Sequence, residues 1–380
     1  MQTWDVVIAG AGLAGLSLAA ELAQPEFAHL RVLLVEPRHE YVRDRTWSYW
    51  ALPQALPLRW QSLPTFQWPR WRVSLPGRSM TSKNEVQYAS VRSHDFYNAA
   101  LRLVTKASNI HWYKGTSVTQ AISSVHSVEL LISTGEQISS QLFFDSRPPM
   151  AVSQSDWAQH FQGWEVETQK PCFEPHCVDL MAFEPNNEGL HFFYCLPYSS
   201  TQALVESTWI SRGIAPTDYE AELRQALQQR WGCTDFTTTF LEQGALPLLA
   251  TMRAVQPNIV RIGRAGGMLR AATGYAFCAT LQQTSGLAAS LAHHLKQGAS
   301  LHSWQTPSYA NHALDQWMDK VLFRVMERDW RRAPEYFLSL FEKVPELALV
   351  RFLQGQANGQ DRLAVMRALP PWPFLRAALG

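Results

Sequence analysis

The chain has 380 residues, 46% hydrophobic and 17% charged, with a net charge of +1. The charged share lies below the roughly 25% of an ordinary globular protein, which excludes a disordered chain, and a charge so near zero gives no electrostatic reason to bind nucleic acid. No apolar run of about 18 residues is present, so no transmembrane helix is expected, and the 15 Trp, 18 Phe and 11 Tyr leave two readings open: a packed core, or an aromatic cavity for a large apolar or cationic species.

The chain opens on MQTWDVVIAGAGLAGLSLAAELA. Val6-Val7-Ile8 reads as a buried parallel strand entering a GxGxxG turn, Gly10, Gly12 and Gly15, followed by a helix rich in Leu and Ala. The first glycine permits the turn, the second lets a pyrophosphate approach the backbone, and the third lets helix and strand pack closely. Phosphate then rests on the unpaired N–H groups of the helix start. A second strand, RVLLVEP, ends in Glu36, 21 residues after Gly15, where a carboxylate can hold ribose hydroxyls. Strand, glycines, helix, strand and terminal acid in this order imply an adenosine dinucleotide. The fingerprint does not itself choose NAD or FAD. Its early place is typical of flavoproteins that hold FAD extended and carry a second glycine-bearing segment late in the chain. The opening lacks the pattern of a signal peptide. Cys172, Cys177, Cys195, Cys233 and Cys278 form no CxxC pair, so a cytosolic chain with free thiols, and no zinc or disulfide, is expected.

Further along, Trp47 in DRTWSYW is a candidate cavity wall or a core residue. Residues 51–84 and 151–254, dense in Trp, Pro and alternating patterns, read as an antiparallel-sheet lobe. Residues 90–107 read as a helix, and QLFFDSRPP (141–149) as a buried strand whose Arg147 either touches the dinucleotide or pairs with Asp145. The clearest hairpin is HFFYCLPYSSTQALVESTWIS. In its second strand Leu204, Glu206, Thr208 and Ile210 share one face, and Ala203, Val205, Ser207 and Trp209 the other. Neither face is clearly polar, so Glu206 is either a surface carboxylate or a buried one. His176 and His191 are candidates for a place near the cavity, while His29, His293 and His294 read as solvent-facing. Residues 259–263 form a strand, 264–274 a loop and the following residues a long helix, whose start near Thr273-Gly274-Tyr275 offers N–H groups to phosphate or a flavin edge; an ordinary strand–helix crossover is the alternative. Beyond 296 the pattern is helical, broken by Pro334 and Pro345, and reads either as a cap on the fold or as a membrane-surface element through Trp330, Arg331 and Arg332. The fold expected is α/β: a Rossmann-like FAD-binding domain (1–50, 85–150 and 255–295), an interleaved antiparallel-sheet substrate domain (51–84 and 151–254) and a helical C-terminal region (296–380).

Several segments in order, AGAGLAGLSLA, DRTWSYW, FFDSRPP, YCLPYSSTQALVEST, LEQGALPLL, GRAGGMLRAATGYAF and LFRVMERDW…RFLQG, resemble the bacterial lycopene β-cyclase family over nearly the whole chain. The resemblance implies a redox-neutral enzyme that binds FAD, works with it reduced by NADPH or NADH, and closes β-ionone rings on lycopene to give γ-carotene and then β-carotene. It carries the family's essential carboxylate onto Glu206. It carries the FAD contacts onto Gly10, Gly12, Gly15 and Glu36, and onto Gly263, Thr273, Gly274 and Tyr275. Some members have a second acid directly after the first; this chain has Ser207, so Glu206 is expected to act without an adjacent partner acid. Arg264 stands where flavin hydroxylases carry an acid, which weakens that analogy. The competing reading is a flavin-dependent monooxygenase or halogenase of the same fold. TWSYWALP matches a halogenase stretch in composition but not in spacing, and Lys83 has no halogenase context. A lipid-soluble polyene and no membrane span together suggest peripheral contact on the cytoplasmic face of a membrane.

The chemistry sets a demand on the acid. An alkene is a very weak base, and a carboxyl of ordinary pKa, about 4, is ionised at neutral pH. Burial among Leu204, Val205 and Trp209 would raise that value and keep a proton available. The cation formed needs nearby negative charge, from an anionic reduced flavin for example, and exclusion of water. Whether Glu206 or reduced flavin gives the first proton is open at this level.

Overall fold

The computed structural model describes every residue except 1, 149–151, 155, 187, 214–216, 250–255, 310–312 and 380. The end of the 141–149 segment and the boundary expected at 254/255 lie outside the described residues.

Val6, Val7 and Ile8 are fully buried, as a strand covered on both faces must be. Their strand, Gln2–Ala9, lies inside a seven-stranded sheet. It pairs in parallel with Val32–Glu36 on one side and Gln137–Asp145 on the other. Ile110–Lys114 extends the first side in parallel, and Ile259–Arg261 runs parallel beside the end of Gln137–Asp145. Val128–Ile132 and Val118–Ser123 add antiparallel strands. The register sets Ala9 beside Val35 and Asp145, and Asp145 beside Arg261. The carboxyl ends of these strands therefore meet at one edge, where open α/β sheets bind ligands. Helix Leu13–Leu22 follows the glycine turn, and Ser17 Oγ lies 2.5 Å from Thr284 Oγ1 of the long helix Phe277–Lys296.

A second seven-stranded sheet runs in the order Phe236–Pro247, Trp157–Thr168, Gln202–Arg212, Leu190–Pro197, Cys177–Glu184, Arg70–Leu75, Arg78–Thr81. Its pairs are antiparallel except Arg70–Leu75 with Cys177–Glu184. The alternation in Gln202–Arg212 sorts its faces as expected. Ala203 and Val205 pack under helix Tyr219–Trp231 through Leu223 and Leu227, which leaves Glu206, Thr208 and Ile210 on the opposite face. The helix expected over 90–107 spans Ser93–Val104. The residues before it form the strand Tyr88–Arg92, which joins Thr46–Trp50 and Phe66–Trp68 in a small third sheet. Tyr88 and Val91 look inward, and that burial favours a strand where residues 90–92 read as a helix start.

Helices Ala313–Asp329, Ala333–Lys343, Glu346–Leu353, Gly359–Ala368 and Pro371–Leu379 cap the fold. No helix among the described residues is long and apolar enough to cross a membrane. A buried ion network ties the cap to the late glycine segment. Arg270 donates to Asp319 at 3.1 and 3.3 Å and to the Phe352 carbonyl, and Arg362 donates to Asp315 at 2.6 and 3.0 Å. All four charged side chains are buried. Removing one partner of such a network strands a charge, at a cost of about 3–5 kcal/mol. Asp319→Ala is therefore expected to lower unfolding free energy by about that much in urea titration; a loss below about 1 kcal/mol, the value of an exposed pair, would mean the network does not anchor the cap.

Candidate functional site

The two large sheets and the C-terminal cap enclose a cavity of about 770 Å³, near the upper end of the roughly 300–1,000 Å³ typical of small-molecule sites. One end is built from the parallel-strand termini. Gly10 has φ +85°, and a Cβ there would lie 2.5 Å from Ser146 Oγ. At Gly15 a Cβ would lie 1.8 Å from the Gly10 carbonyl oxygen, so only glycine lets the helix seat on the turn. Gly12 is different: a Cβ there would meet nothing nearer than Arg38 Nη2 at 3.8 Å, leaving the backbone open to a ligand. Gly12 caps its helix with no side-chain hydrogen bond and no acid in the first turn, so N–H groups remain available. The helix that begins at Phe277 starts in the same bare way, and its first residues also line the cavity.

Glu36 is buried at the end of its strand. It accepts hydrogen bonds from the Ala11 N–H, from Arg38 N at 3.0 Å and from Arg38 Nε at 2.7 Å. A carboxylate has about four lone-pair sites, so sharing with ribose hydroxyls is feasible. Gly263 has φ +61° and donates its N–H to Gln283 Oε1 at 2.7 Å. Gly274 has φ +71°, and a Cβ there would lie 2.7 Å from Gln159 Oε1 of the second sheet. Thr273 Oγ1 accepts from the Tyr275 N–H at 3.3 Å. Arg264 extends this end of the cavity. Among the described residues its guanidinium has no ion-pair or hydrogen-bond partner. Burial, then the nearby charge of Arg45, depress its proton affinity, the signature of a cation without a counter-charge.

The other end is acidic and aromatic. Gly163 pairs with Glu206 on one neighbouring strand and Glu242 on the other. A Cβ at Gly163 would lie 2.7 Å from Glu206 Cγ and 3.3 Å from Glu242 Cγ. The two acids thus meet over the one residue that has no side chain. Glu206 keeps some open surface, but that surface faces the cavity. Burial, then the charge and hydrogen bonding of Glu242, push the Glu206 carboxyl well above the usual range. Burial also raises Glu242, while hydrogen bonds with Glu206 and Thr46 and the Arg43 charge oppose the rise. Tyr194 sits across the ladder from Glu206. Its hydroxyl lies 3.0 Å from that of Tyr88, which lies 2.7 Å from that of Tyr275, and it donates to Ser48 Oγ at 2.9 Å. Burial raises all three tyrosines, which stay neutral. Trp50 packs 5.1 Å from both Tyr88 and Tyr275.

The structure thus brings Gly10, Gly12, Glu36, Gly263, Thr273, Gly274, Tyr275 and Glu206 onto one cavity, with Gly15 directly behind. Tyr275 offers more than its backbone, since its hydroxyl belongs to the tyrosine cluster at the acidic end. Trp47 lines the cavity and also stacks on Phe277 at 5.3 Å. Arg147 pairs with Asp145 at 2.7 Å and still borders the cavity. Other expectations are corrected. His191 points to the opposite face of its strand, 3.0 Å from Ser207 Oγ, and burial lowers its pKa to about 4. His176 is exposed. Ser207 faces helix Tyr219–Trp231 and donates to Glu222, so a residue directly after Glu206 in the strand could not have been its partner. Lys83 is exposed and off the cavity. Glu242, Gly163, Arg38, Tyr88 and Tyr194 were missed as site residues. The signal for Glu242 was an acid among apolar residues in LEQGALPLL; only strand pairing shows its neighbour.

Residues 5–379 match the model of a family described as lycopene cyclase protein. A lycopene beta-cyclase of Pantoea ananas is 26% identical, over 98% of this chain and 97% of that protein. One from Paracoccus sp. (strain N81106 / MBIC 01143) is also 26% identical, over 98% and 96%. Among solved structures, a flavoprotein/dehydrogenase from Cytophaga hutchinsonii is similar with a TM-score of 0.63 at 13% identity, over 100% of this chain and 98% of the other. The flavin-dependent monooxygenase PieE, solved with FAD and substrate, is similar with a TM-score of 0.60 at 14% identity, over 96% and 71%. These structural likenesses show the fold alone.

Glycine inside a strand ordinarily costs about 0.5–1 kcal/mol relative to alanine. At Gly163 the sign should reverse. Gly163→Ala is expected to lose about 1–3 kcal/mol of stability in urea titration, because its methyl displaces both acids; a gain in stability would show that the two carboxyls do not share this space.

Proposed function

The chain belongs to the lycopene cyclase family, and from that membership we propose that it closes β end rings on lycopene, giving γ-carotene and then β-carotene without net redox change. The observation that carries this reading is Glu206: a carboxyl of raised proton affinity, shielded from bulk solvent, at the aromatic end of a cavity whose other end has the build of a dinucleotide site. An acid of raised proton affinity that faces an apolar chamber suits the protonation of an alkene.

The residues fit FAD. Gly12 and the bare helix start behind it would take the pyrophosphate, Glu36 the ribose, and the segment from Gly263 to Tyr275 the flavin side. The unpaired Arg264 is suited to an anion there. Reduced FAD, when bound, supplies negative charge beside a cation with no net electron transfer, and NADPH or NADH would only keep it reduced.

Glu206 gives its proton to the terminal alkene of the acyclic end. The cation so formed lies among Trp50, Tyr88, Tyr194 and Tyr275, whose ring faces each attract positive charge by about 0.5–2 kcal/mol when well placed. Leu180, Phe192, Phe337 and Phe341 line the same chamber and keep water from the cation. For access to a lipid-soluble substrate we read the last helix as a peripheral membrane contact. Trp372, Leu375 and Leu379 are 81%, 54% and 90% exposed there. Trp330, a candidate for insertion in the membrane-surface reading, packs partly against the core.

Expression in a bacterium that accumulates lycopene should turn red cells yellow-orange, with β-carotene by chromatography. Glu206→Gln is expected to bind FAD normally and leave the cells red; near-normal rings from that variant would remove Glu206 from the chemistry. Arg264→Met should weaken FAD binding by roughly tenfold or more in fluorescence titration, and an unchanged affinity would place Arg264 away from the cofactor. Trp372→Glu should release the purified protein from anionic lipid vesicles in sedimentation; equal binding would exclude the last helix as the contact.

A further inference from the structure

Glu242 occupies a position that the cyclase reading has not yet used. It is 3% exposed, it borders the cavity, and its Oε2 is buried with no hydrogen-bond partner among the described residues. Across Gly163 it meets Glu206, with both side chains crowding the space that any larger residue would fill. Two carboxyls in such contact, away from water, do not both ionise readily; one proton is held between them.

Resting on the cyclase reading above, we infer that Glu242 is a second catalytic carboxyl: Glu206 carries the proton given to the polyene, and Glu242, ionised, receives the proton that the closed ring releases. The surroundings separate the two roles. Glu242 interacts with Thr46 and with the cation of Arg43, which is shared with Glu165. Among the described residues no cation acts on Glu206; its other titratable neighbours are Tyr194 and Tyr275, both neutral. Tyr198, which feels the charges of Glu165 and Glu242, is likewise held neutral by burial. Negative charge therefore settles on Glu242 and the proton on Glu206.

The step balances. The Glu206 O–H bond breaks as the π pair of the terminal alkene takes the proton. The π pair of the next alkene within reach forms the ring C–C bond and moves the cation into the ring. The electrons of an adjacent ring C–H bond become the ring double bond, and that proton passes to Glu242. The pair starts and ends with one proton, which returns from Glu242 to Glu206 through their contact. No electron enters or leaves.

The test uses FAD-loaded wild type, Glu206→Gln, Glu242→Gln and Glu242→Asp, with two readouts. Infrared titration follows the C=O stretch of protonated carboxyls without turnover. Wild type should show one such band at neutral pH that Glu206→Gln lacks. In Glu242→Gln the Glu206 band should persist but titrate at lower pH, because the charge and hydrogen bonding that raise Glu206 are gone. The second readout is ring formation against pH. Glu242→Gln should fall about a hundredfold in kcat with flavin absorbance and KM retained. Its alkaline limb should move to lower pH and its acid limb should vanish. Glu242→Asp, which keeps the charge, should retain more activity than Glu242→Gln. Near-wild-type rate and pH profile in Glu242→Gln overturn the proposal, as does a wild type with both acids ionised at neutral pH. Wild type that forms no rings overturns the cyclase reading and this assignment with it, whereas an infrared failure with normal ring formation overturns this assignment and leaves the cyclase reading standing.

Discussion

Two carboxyl groups pressed together over Gly163, turned away from bulk water, are the contact on which the site depends. Such a pair is costly unless it holds a proton or has a counter-charge. The fold meets that demand by geometry. Three adjacent strands put the acids in register on one face of a sheet, and the opposite face is closed by helix Tyr219–Trp231. Neutral tyrosines and a tryptophan surround the pair, so that the polar groups near Glu206 can accept or donate without bringing a second permanent charge. In the proposed chemistry this same restraint leaves a new cation facing negative charge and aromatic faces, with little else to quench it.

The remaining architecture brings the end proposed to hold a dinucleotide to that point. Parallel strands deliver Gly10, Glu36 and Asp145 to one rim, and the late segment returns from Ile259–Arg261 with Arg264 and Gly274. Gly274 lies so close to Gln159 of the second sheet that a Cβ would have to push its side-chain amide aside, which is where the late segment meets that sheet. The C-terminal helices complete the enclosure. Phe337, Phe341 and Leu353 form part of the cavity wall, and the buried contact of Arg270 with Asp319 locks that wall to the segment proposed to face the flavin. Cap and late glycine segment are thus one mechanical unit.

Legibility from sequence followed the range of the interaction. The glycine turn and Glu36 were legible because their geometry is set within some 30 residues of one strand–helix–strand unit. The facing of Glu206 was legible from period-two alternation, although whether that face met water was not. Glu242 was not legible as its partner, since the two lie on strands separated by Trp157–Thr168 and meet only through the sheet order. The residue after Glu206 carries no information on its partner, for Ser207 belongs to the helix side with His191 and Glu222. Residues 90–92 were absorbed into a helix reading because the partners of their strand, Thr46–Trp50 and Phe66–Trp68, are distant in the chain. Exposure of Trp372 rather than Trp330 depended on how the last helices pack, which periodicity does not fix.

The central claim, that ring closure begins with a proton from a protein acid and involves no net electron transfer, is tested most directly by isotope. Lycopene is cyclised by the FAD-loaded, reduced protein in D₂O, and the carotenoid product is weighed by mass spectrometry while reductant consumption is followed. In the first turnover of protein equilibrated with D₂O the expected result is one deuterium in the ring formed, with no reductant consumed per turnover. Rings that carry no solvent deuterium, or turnover that consumes reductant in proportion to product, would contradict it.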